Sequence, residues 1–265
     1  MKHIRTIIKK EWTEVFRNRM VLFTMIFMPL IFTILPLVML FVTNSGMSDM
    51  EAIGSADVPV EFLSVCGEGM TGGECMQVYI VNQFLLLFMM MRVIIPITIA
   101  AYSVVGEKAT HSLEPLLATP ITTLELLAGK SLAAALPAIF IGWLSFGVFL
   151  AALPLIGVSK AVLQYISGPT WLLAVLVAGP LMAIAAVNFA LFVSSRVNDP
   201  RVAEQVSSIL IIPILGLIFA QLAGVIVINV MVMLSFIGGM ALLDIGMIYL
   251  GVHIFQRENI LTRWK

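Results

Sequence analysis

The amino-acid sequence predicts an all-α integral membrane protein with about six transmembrane helices, preceded by an amphipathic helix at the membrane surface. Of its 265 residues, 60% are hydrophobic and only 11% are charged, whereas soluble domains carry about 25% charged residues. Apolar runs of about 20 residues recur, and each is long enough to cross about 30 Å of hydrocarbon. The charged residues concentrate between these runs. We therefore interpret residues 1–265 as a single transmembrane domain.

The N-terminal segment 1–19 combines basic and apolar residues in a helical pattern. Ile4, Ile7, Ile8 and Trp12 recur at the spacing of one helix face, and the segment also contains six Lys and Arg residues. This pattern is typical of a helix that lies among the lipid headgroups. We predict an interfacial helix, which serves either as a topology anchor alone or also as a contact for a cytoplasmic partner.

Six apolar runs define the predicted transmembrane spans. They are residues 20–42, 78–105, 131–153, 169–193, 207–228 and 231–251. With this number of spans both termini lie on one side of the membrane, together with thirteen of the fifteen Lys and Arg residues. The positive-inside rule assigns that side to the cytoplasm. We predict a multi-pass protein of the cell membrane with both termini cytoplasmic, and the sequence leaves the structure of the turn at 225–232 open.

The loop 43–77 is acidic and contains no Lys or Arg, so it is predicted to lie outside the cytoplasm. It holds the two cysteines of the chain, Cys66 and Cys75. A cysteine pair in an oxidising compartment favours a disulfide over two free thiols. A metal site is not predicted there, because a site would need more ligands and the loop has no histidine.

The connection between the second and third spans, residues 106–130, is polar and charged, with the sequence GEKATHSLEPLLATPITTLELLAGK. Leu113, Leu116 and Leu117 fall on one face of a short helix. Pro120 ends that helix, because the residue before a proline resists the α conformation. A second helix is predicted to start shortly afterwards and to continue into the third span. We call residues 106–130 the docking segment.

The docking segment resembles the cytoplasmic signature of the type-2 family of ATP-binding-cassette (ABC) transporter permeases. The matching stretches are Gly106-Glu107-Lys108, Ser112-Leu113-Glu114, Leu116-Leu117, Thr119-Pro120 and Gly129-Lys130. The chain departs from the signature at His111, where a glycine is usual. The resemblance implies that this segment is a cytoplasmic coupling helix gripped by a separate ABC ATPase subunit. The residues it assigns to ATPase coupling are Glu107, Ser112, Leu113, Glu114, Leu116, Leu117, Thr119 and Pro120.

The same resemblance implies the membrane-spanning permease subunit of an ATP-driven exporter. Two permease chains, either a homodimer or a pair of sister permeases, would surround a translocation path within the lipid bilayer. In this family short helices also dip back into the outer leaflet between the last two spans. The substrate class (drug, lipid, peptide, ion or polysaccharide) is not indicated by the sequence.

The chain itself is not predicted to be an enzyme. Gly129-Lys130-Ser131 resembles the end of a phosphate-binding loop, but the first glycine of that motif would fall at Leu124. ATP and Mg²⁺ are therefore expected to bind to the partner ATPase, and no cofactor is expected in this chain. Its formal net charge of zero does not favour binding to nucleic acid.

A few polar residues interrupt the apolar spans. Arg92 stands near the middle of the second span, where a charge costs about 2.5–3.5 kcal/mol on insertion scales. Asp244 lies at a similar depth in the last span, and we hypothesise an Arg92–Asp244 ion pair. The alternatives are that Arg92 lines the translocation path or that the pair is purely structural. Asn188 and Gln221 are expected to form hydrogen bonds between helices more often than to bind ligands.

Two other classes of protein remain as alternatives. An ion-coupled secondary transporter would require several buried acids or an inverted repeat, and the sequence shows one such acid and no repeat. An intramembrane serine protease is suggested only by Ser145 between Gly142 and Gly147, while His253 stands at a helix end on the cytoplasmic side. Both alternatives are weaker than the permease interpretation.

Overall fold

The computed structural model describes residues 2–45, 66, 70–109 and 123–254, and within them all regular secondary structure is helical. The helices, in chain order, are α1 (Lys2–Arg17), α2 (Arg19–Ser45), α3 (Gly72–Ala109), α4 (Thr123–Ala152), α5 (Lys160–Ile166), α6 (Pro169–Leu173), α7 (Gly179–Arg196), α8 (Pro200–Ser207), α9 (Ile212–Leu222) and α10 (Val230–Ile254). The 3₁₀ turns Leu153–Ile156 and Ser208–Ile211 follow α4 and α8, and a π-helical turn, Ala174–Ala178, joins α6 to α7.

Within the described residues, six helical stretches are long and apolar enough to cross a membrane, which confirms the predicted all-α membrane fold. They are Arg19–Asn44, Gly72–Glu107, Leu124–Ile156, Lys160–Arg196, Pro200–Leu222 and Val230–Gly251. Several stretches extend beyond the predicted apolar spans because a helix continues through polar residues once its backbone hydrogen bonds are formed. Pro96 lies inside α3 without ending it.

Helix α3 occupies the centre of the bundle. It packs against α2, α4, α7 and α8, and its apolar side chains, such as Val78, Leu85 and Ile95, are buried. Helix α10 is peripheral: it packs mainly against α7, and most of its side chains are exposed. The exposed apolar side chains of α2, α4 and α10 suit contact with lipid, since about 20 apolar residues match the hydrocarbon thickness.

The end of α4 that lies far from the docking segment is closed by hydrogen bonds. Gly157, with a φ of 73°, ends the 3₁₀ turn after α4. The side-chain amide of Asn44 donates to the Ile156 carbonyl at 3.0 Å, which joins the ends of α2 and α4. The Ser159 hydroxyl accepts from the Val162 amide, so Ser159 caps α5.

The connection from α9 to α10 is a non-helical turn over residues 223–229. Gly224 adopts a φ of 72°, a conformation that glycine reaches without steric cost. The Asn229 side chain accepts from the Val232 amide at 2.9 Å and so caps α10. The short helices that the family resemblance implied between the last two spans are therefore not formed at residues 223–229. The described short helix α5 lies elsewhere, at the start of the Lys160–Arg196 stretch.

Candidate functional site

The N-terminal helix α1 lies against the first turns of α4. The Ile7 side chain approaches Gly129 so closely that a Cβ atom at Gly129 would stand 2.9 Å from Ile7 Cγ2. One turn further along α1, the Trp12 indole nitrogen donates to the Ala133 carbonyl at 3.0 Å. Because Gly129 lies in the docking segment and Ala133 just follows it on α4, these contacts attach α1 to the C-terminal end of that segment.

A buried ion network joins α1, α3 and α4 at the same place. Lys130 Nζ lies 2.7 Å from Glu11 Oε1 and 2.7 Å from Glu107 Oε2, and it donates to Ser103 Oγ at 3.0 Å. The Ser103 hydroxyl donates in turn to Glu11 Oε2 at 2.6 Å. The network therefore satisfies one buried ammonium group with two carboxylates and a hydroxyl, from three different helices.

Lys10 extends this network towards solvent. Its ammonium group forms a hydrogen bond with Glu107 Oε1 and lies 3.6 Å from Glu14 on the same helix. Burial by itself would lower the pKa of Lys10, but the hydrogen bond and charge of Glu107 outweigh it, so this pKa lies above its ordinary value. We call Lys10, Glu11, Ser103, Glu107 and Lys130 the charge clip.

Loss of one buried charged member of the charge clip is expected to destabilise the protein strongly. The side chains of Lys130, Glu11 and Glu107 are 3–5% exposed. Removing one partner of a buried ion pair leaves an uncompensated charge and costs about 3–5 kcal/mol. The clip therefore holds the three helices in one relative arrangement as long as every member is present.

The charge clip contains one residue from each end of the docking segment. Glu107 stands where the chain leaves α3, and Lys130 stands in the second turn of α4. Of the residues assigned to ATPase coupling, Glu107 is thus part of the clip. The others lie outside the described residues: Ser112, Leu113, Glu114, Leu116, Leu117, Thr119 and Pro120.

Sequence reasoning missed Lys10, Glu11 and Ser103. A signal for Glu11 was present, because this acid falls on the same face of α1 as Ile7 and Val15, and all three side chains are buried. An acid on the apolar face of an amphipathic helix requires a buried cation. Ser103 gave no comparable signal, since a serine in a membrane helix can bond to its own backbone.

The hypothesised Arg92–Asp244 ion pair is not formed, and this corrects the sequence interpretation. Both side chains are buried, yet the Arg92 guanidinium and the Asp244 carboxylate have no hydrogen-bond partner among the described residues. The reason is the packing order: α10, which carries Asp244, packs mainly against α7, whereas Arg92 on α3 lies against Gly142 and Gly179. Equal depth in the membrane did not bring the two charges together.

The remaining polar residues of the apolar helices differ in their hydrogen bonding. The Ser131 hydroxyl donates to the Asn188 side-chain oxygen at 2.8 Å and so links α4 to α7. Gln221 is buried without a hydrogen-bond partner among the described residues. On α8, Glu204 accepts from the Thr98 hydroxyl of α3 at 2.6 Å. Among the described residues no group of three or more His, Cys, Asp or Glu side chains is arranged to hold a metal ion.

The two cysteines are joined in the structure as a disulfide, Cys66–Cys75. Their Cα atoms are 5.5 Å apart, within the usual range for such a bond. Cys75 lies in the first turn of α3, so the bridge attaches the preceding loop to the central helix. The oxidation state of this pair in the cell remains a prediction.

These features define the chain as a multi-pass helical membrane protein. The described residues contain six apolar helices of a multi-pass membrane protein, and the charge clip lies where the N-terminal helix α1 meets two of those helices. A sequence profile of the ABC-2 family transporter proteins matches residues 5–262, which is almost the whole chain. The protein therefore belongs to the ABC-2 transporter family and is a transmembrane permease subunit of an ABC transporter. A search of curated proteins gives no significant match.

Proposed function

We propose that this permease subunit is driven by a separate ABC ATPase, which docks on residues 106–130 and exports a substrate through the membrane. ATP and Mg²⁺ would bind to that ATPase, and the present chain would carry force and shape the path. Family membership and the coupling signature support this assignment. The proposed orientation has both termini, and hence the charge clip, on the cytoplasmic side.

The observation that carries the proposal is the position of the charge clip. Glu107 and Lys130 lie near the two ends of the docking segment. Glu107 Oε2 is 2.7 Å from Lys130 Nζ. A force applied to the segment would therefore reach α3 and α4 together. Since Glu11 and Lys10 belong to the same network, the interfacial helix would move with them.

A movement of the docking segment would reach the rest of the bundle through α3, because this helix lies at its centre. Helix α3 is packed by α2, α4, α7 and α8, so a rotation of its cytoplasmic end displaces neighbours on several sides. Close-packed interiors transmit displacement because they have few voids. Closure of two ATPase subunits would thus rock the spans and change which side of the path is open.

A complete transporter of this design requires a second permease chain, either an identical copy or a sister permease. One bundle with α3 buried at its centre presents outward faces made of α2, α9 and α10, and a path between two chains would be lined by such faces. The second chain is part of the proposal. The oligomeric state of the purified protein would test it directly.

The coupling proposal is tested by recovering an ATPase with the tagged chain in mild detergent. We expect the native chain to recover an ABC ATPase. The Glu114→Arg variant should recover at least ten-fold less of it, because the substitution reverses the charge of the docking segment. The matched control is Glu51→Arg, which makes the same change in the acidic loop assigned to the opposite side of the membrane. An ATPase recovered equally by Glu114→Arg would refute this docking site. Recovery of none, by a native chain that elutes as a folded protein, would favour the ion-coupled transporter instead.

A further inference from the structure

The junction of α3, α4 and the α6–α7 region contains an arginine in an unusual setting. Arg92 is 2% exposed, and both terminal guanidinium nitrogens lack a hydrogen-bond partner among the described residues. A buried charge normally has a partner of opposite sign, because burying it alone is very costly. The described part of the protein offers Arg92 no such partner.

Two glycines form a seat for this guanidinium group. A Cβ atom at Gly142 would stand 2.0 Å from Arg92 Nε, and one at Gly179 would stand 3.1 Å from Arg92 Nη1. Any other residue at Gly142 would occupy the space that the guanidinium fills. The glycines therefore permit the charged group to lie flat between helices, which leaves its two terminal nitrogens as the groups in need of an acceptor.

Backbone carbonyls next to the seat are already engaged. The π-helical turn Ala174–Ala178 ends beside Gly179, whose amide donates to the Ala174 carbonyl. The Val175 carbonyl, in the same turn, accepts from the Trp143 indole at 3.1 Å. Neither carbonyl accepts a hydrogen bond from the terminal nitrogens of Arg92.

An aromatic layer includes Phe88, one helical turn before Arg92 on α3, and it consists of Phe88, Phe146, Phe149 and Trp171. Phe88 precedes Arg92 by four residues on α3, and Trp171 stacks on Phe146 with ring centroids 5.8 Å apart and an angle of 12° between the planes. Trp171 is fully buried, and its indole nitrogen also lacks an acceptor among the described residues. The junction thus contains two kinds of buried donor without acceptors among the described residues, close to a cluster of buried aromatic side chains.

We propose that this junction binds an amphipathic anion, whose carboxylate or phosphate group is held by Arg92 and whose apolar body lies against the aromatic layer. Guanidinium groups suit this ligand because their planar N–H groups match carboxylate and phosphate oxygens. The anion has two sources, an acidic membrane lipid or a transported amphiphile. That it is cargo rests on the proposed transport function, whereas binding itself requires no ATPase.

Binding is tested with photoactivatable dodecanoate on the full-length chain in nanodiscs of phosphatidylcholine. We expect saturable labelling of the peptides that carry Phe146 and Trp171, at least ten-fold stronger than with the matching dodecanol probe. In the native chain, unlabelled dodecanoate should suppress the labelling and dodecyltrimethylammonium should not. Equal labelling by the acid and the alcohol, or equal competition by the cation, would overturn the proposal without any variant.

Two variants locate the site. Arg92→Gln should reduce dodecanoate labelling at least ten-fold and leave dodecanol labelling unchanged, while Arg196→Gln, which removes an exposed cation beside Phe192, should change neither. Undiminished labelling of a folded Arg92→Gln variant would refute the role of Arg92. Should that variant not fold, the competition pattern of the native chain decides the matter.

The two sources are distinguished by adding phosphatidylglycerol to the nanodiscs. Displacement of dodecanoate by phosphatidylglycerol identifies a lipid site, whereas retained labelling identifies a site for a smaller amphiphile. Both results support anion binding at Arg92. Because labelling uses no ATPase, a negative labelling result and a negative ATPase recovery refute different proposals.

Discussion

Lys130 Nζ lies 2.7 Å from Glu11 Oε1, although 119 residues separate the two along the chain. The contact joins the N-terminal helix α1 to α4, the helix that begins within the docking segment. Glu107 shares the same ammonium group at 2.7 Å and also pairs with Lys10, so the two carboxylates compete for the Lys130 cation and, within the described part of the chain, only Glu107 has a second one. The arrangement makes the energetic contributions of these residues mutually dependent.

The charge clip is therefore expected to show strong coupling in a double-mutant cycle. Lys130→Met leaves Glu11 without its cation and should destabilise the protein by about 3–5 kcal/mol. The double variant Glu11→Gln/Lys130→Met should lose less than the sum of the single variants, by about 0.5–3 kcal/mol. The free energy of unfolding in detergent is the measurement. The exposed Lys160→Met is the control and should stay within about 0.5 kcal/mol. Additive losses would show that the clip does not act as a unit.

The seat of Arg92 predicts a difference between two glycines of α4. Gly142→Ala places a Cβ atom 2.0 Å from Arg92 Nε, and the displaced guanidinium should destabilise the protein by about 1–3 kcal/mol. Gly147→Ala is matched in residue type and helix but meets nothing within 4 Å. It should be neutral or slightly stabilising. Thermal unfolding of the two purified variants makes the comparison, and equal midpoints would contradict the close approach.

The Cys66–Cys75 bridge predicts that both thiols resist alkylation until a reductant is added. The double variant Cys66→Ser/Cys75→Ser should lose about 2–3 kcal/mol of stability, because the bond restrains the unfolded chain. Mass spectrometry after alkylation counts the modified cysteines. Two alkylated thiols in protein that was never reduced would show that the bridge is absent in the cell.

The proposed orientation predicts where single cysteines react with a membrane-impermeant maleimide. In a background without Cys66 and Cys75, Lys160→Cys should react in intact cells, because it lies on the side assigned to the exterior. Arg201→Cys should react only after the membrane is permeabilised, since it lies in the connection assigned to the cytoplasm. Both positions are exposed, so access to the reagent depends on the side alone. The reverse pattern would invert the topology.

Much of the architecture was accessible from sequence because it depends on local pattern. The count of six spans follows from the length of each apolar run, and α1 follows from apolar residues at helical spacing. Boundaries were less accessible: α3 begins at Gly72 and ends at Ala109, beyond the predicted span 78–105. Polar residues at helix ends lower hydropathy without ending the backbone ladder, so hydropathy underestimates helix length.

For the candidate site, too, the sequence predicted some features and not others. Glu107 was predicted from the signature of the docking segment, and Arg92 was predicted to be important from its position in the membrane. Their partners were not predicted, because a partner depends on which helices touch. Arg92 and Asp244 have equal depth and opposite charge, yet the described packing places α10 mainly against α7 and leaves both side chains without a hydrogen-bond partner among the described residues.

The sequence by itself determined that this chain is a multi-pass helical membrane protein with a charged docking segment, because composition, periodicity and charge placement act over a few turns of chain. Only the tertiary structure decided that Glu11, Lys130 and Glu107 meet and that Arg92 rests against Gly142. Apolar helix surfaces allow many pairings of nearly equal hydrophobic energy. The choice among them is made by side-chain shape and by the few buried charges that must be satisfied.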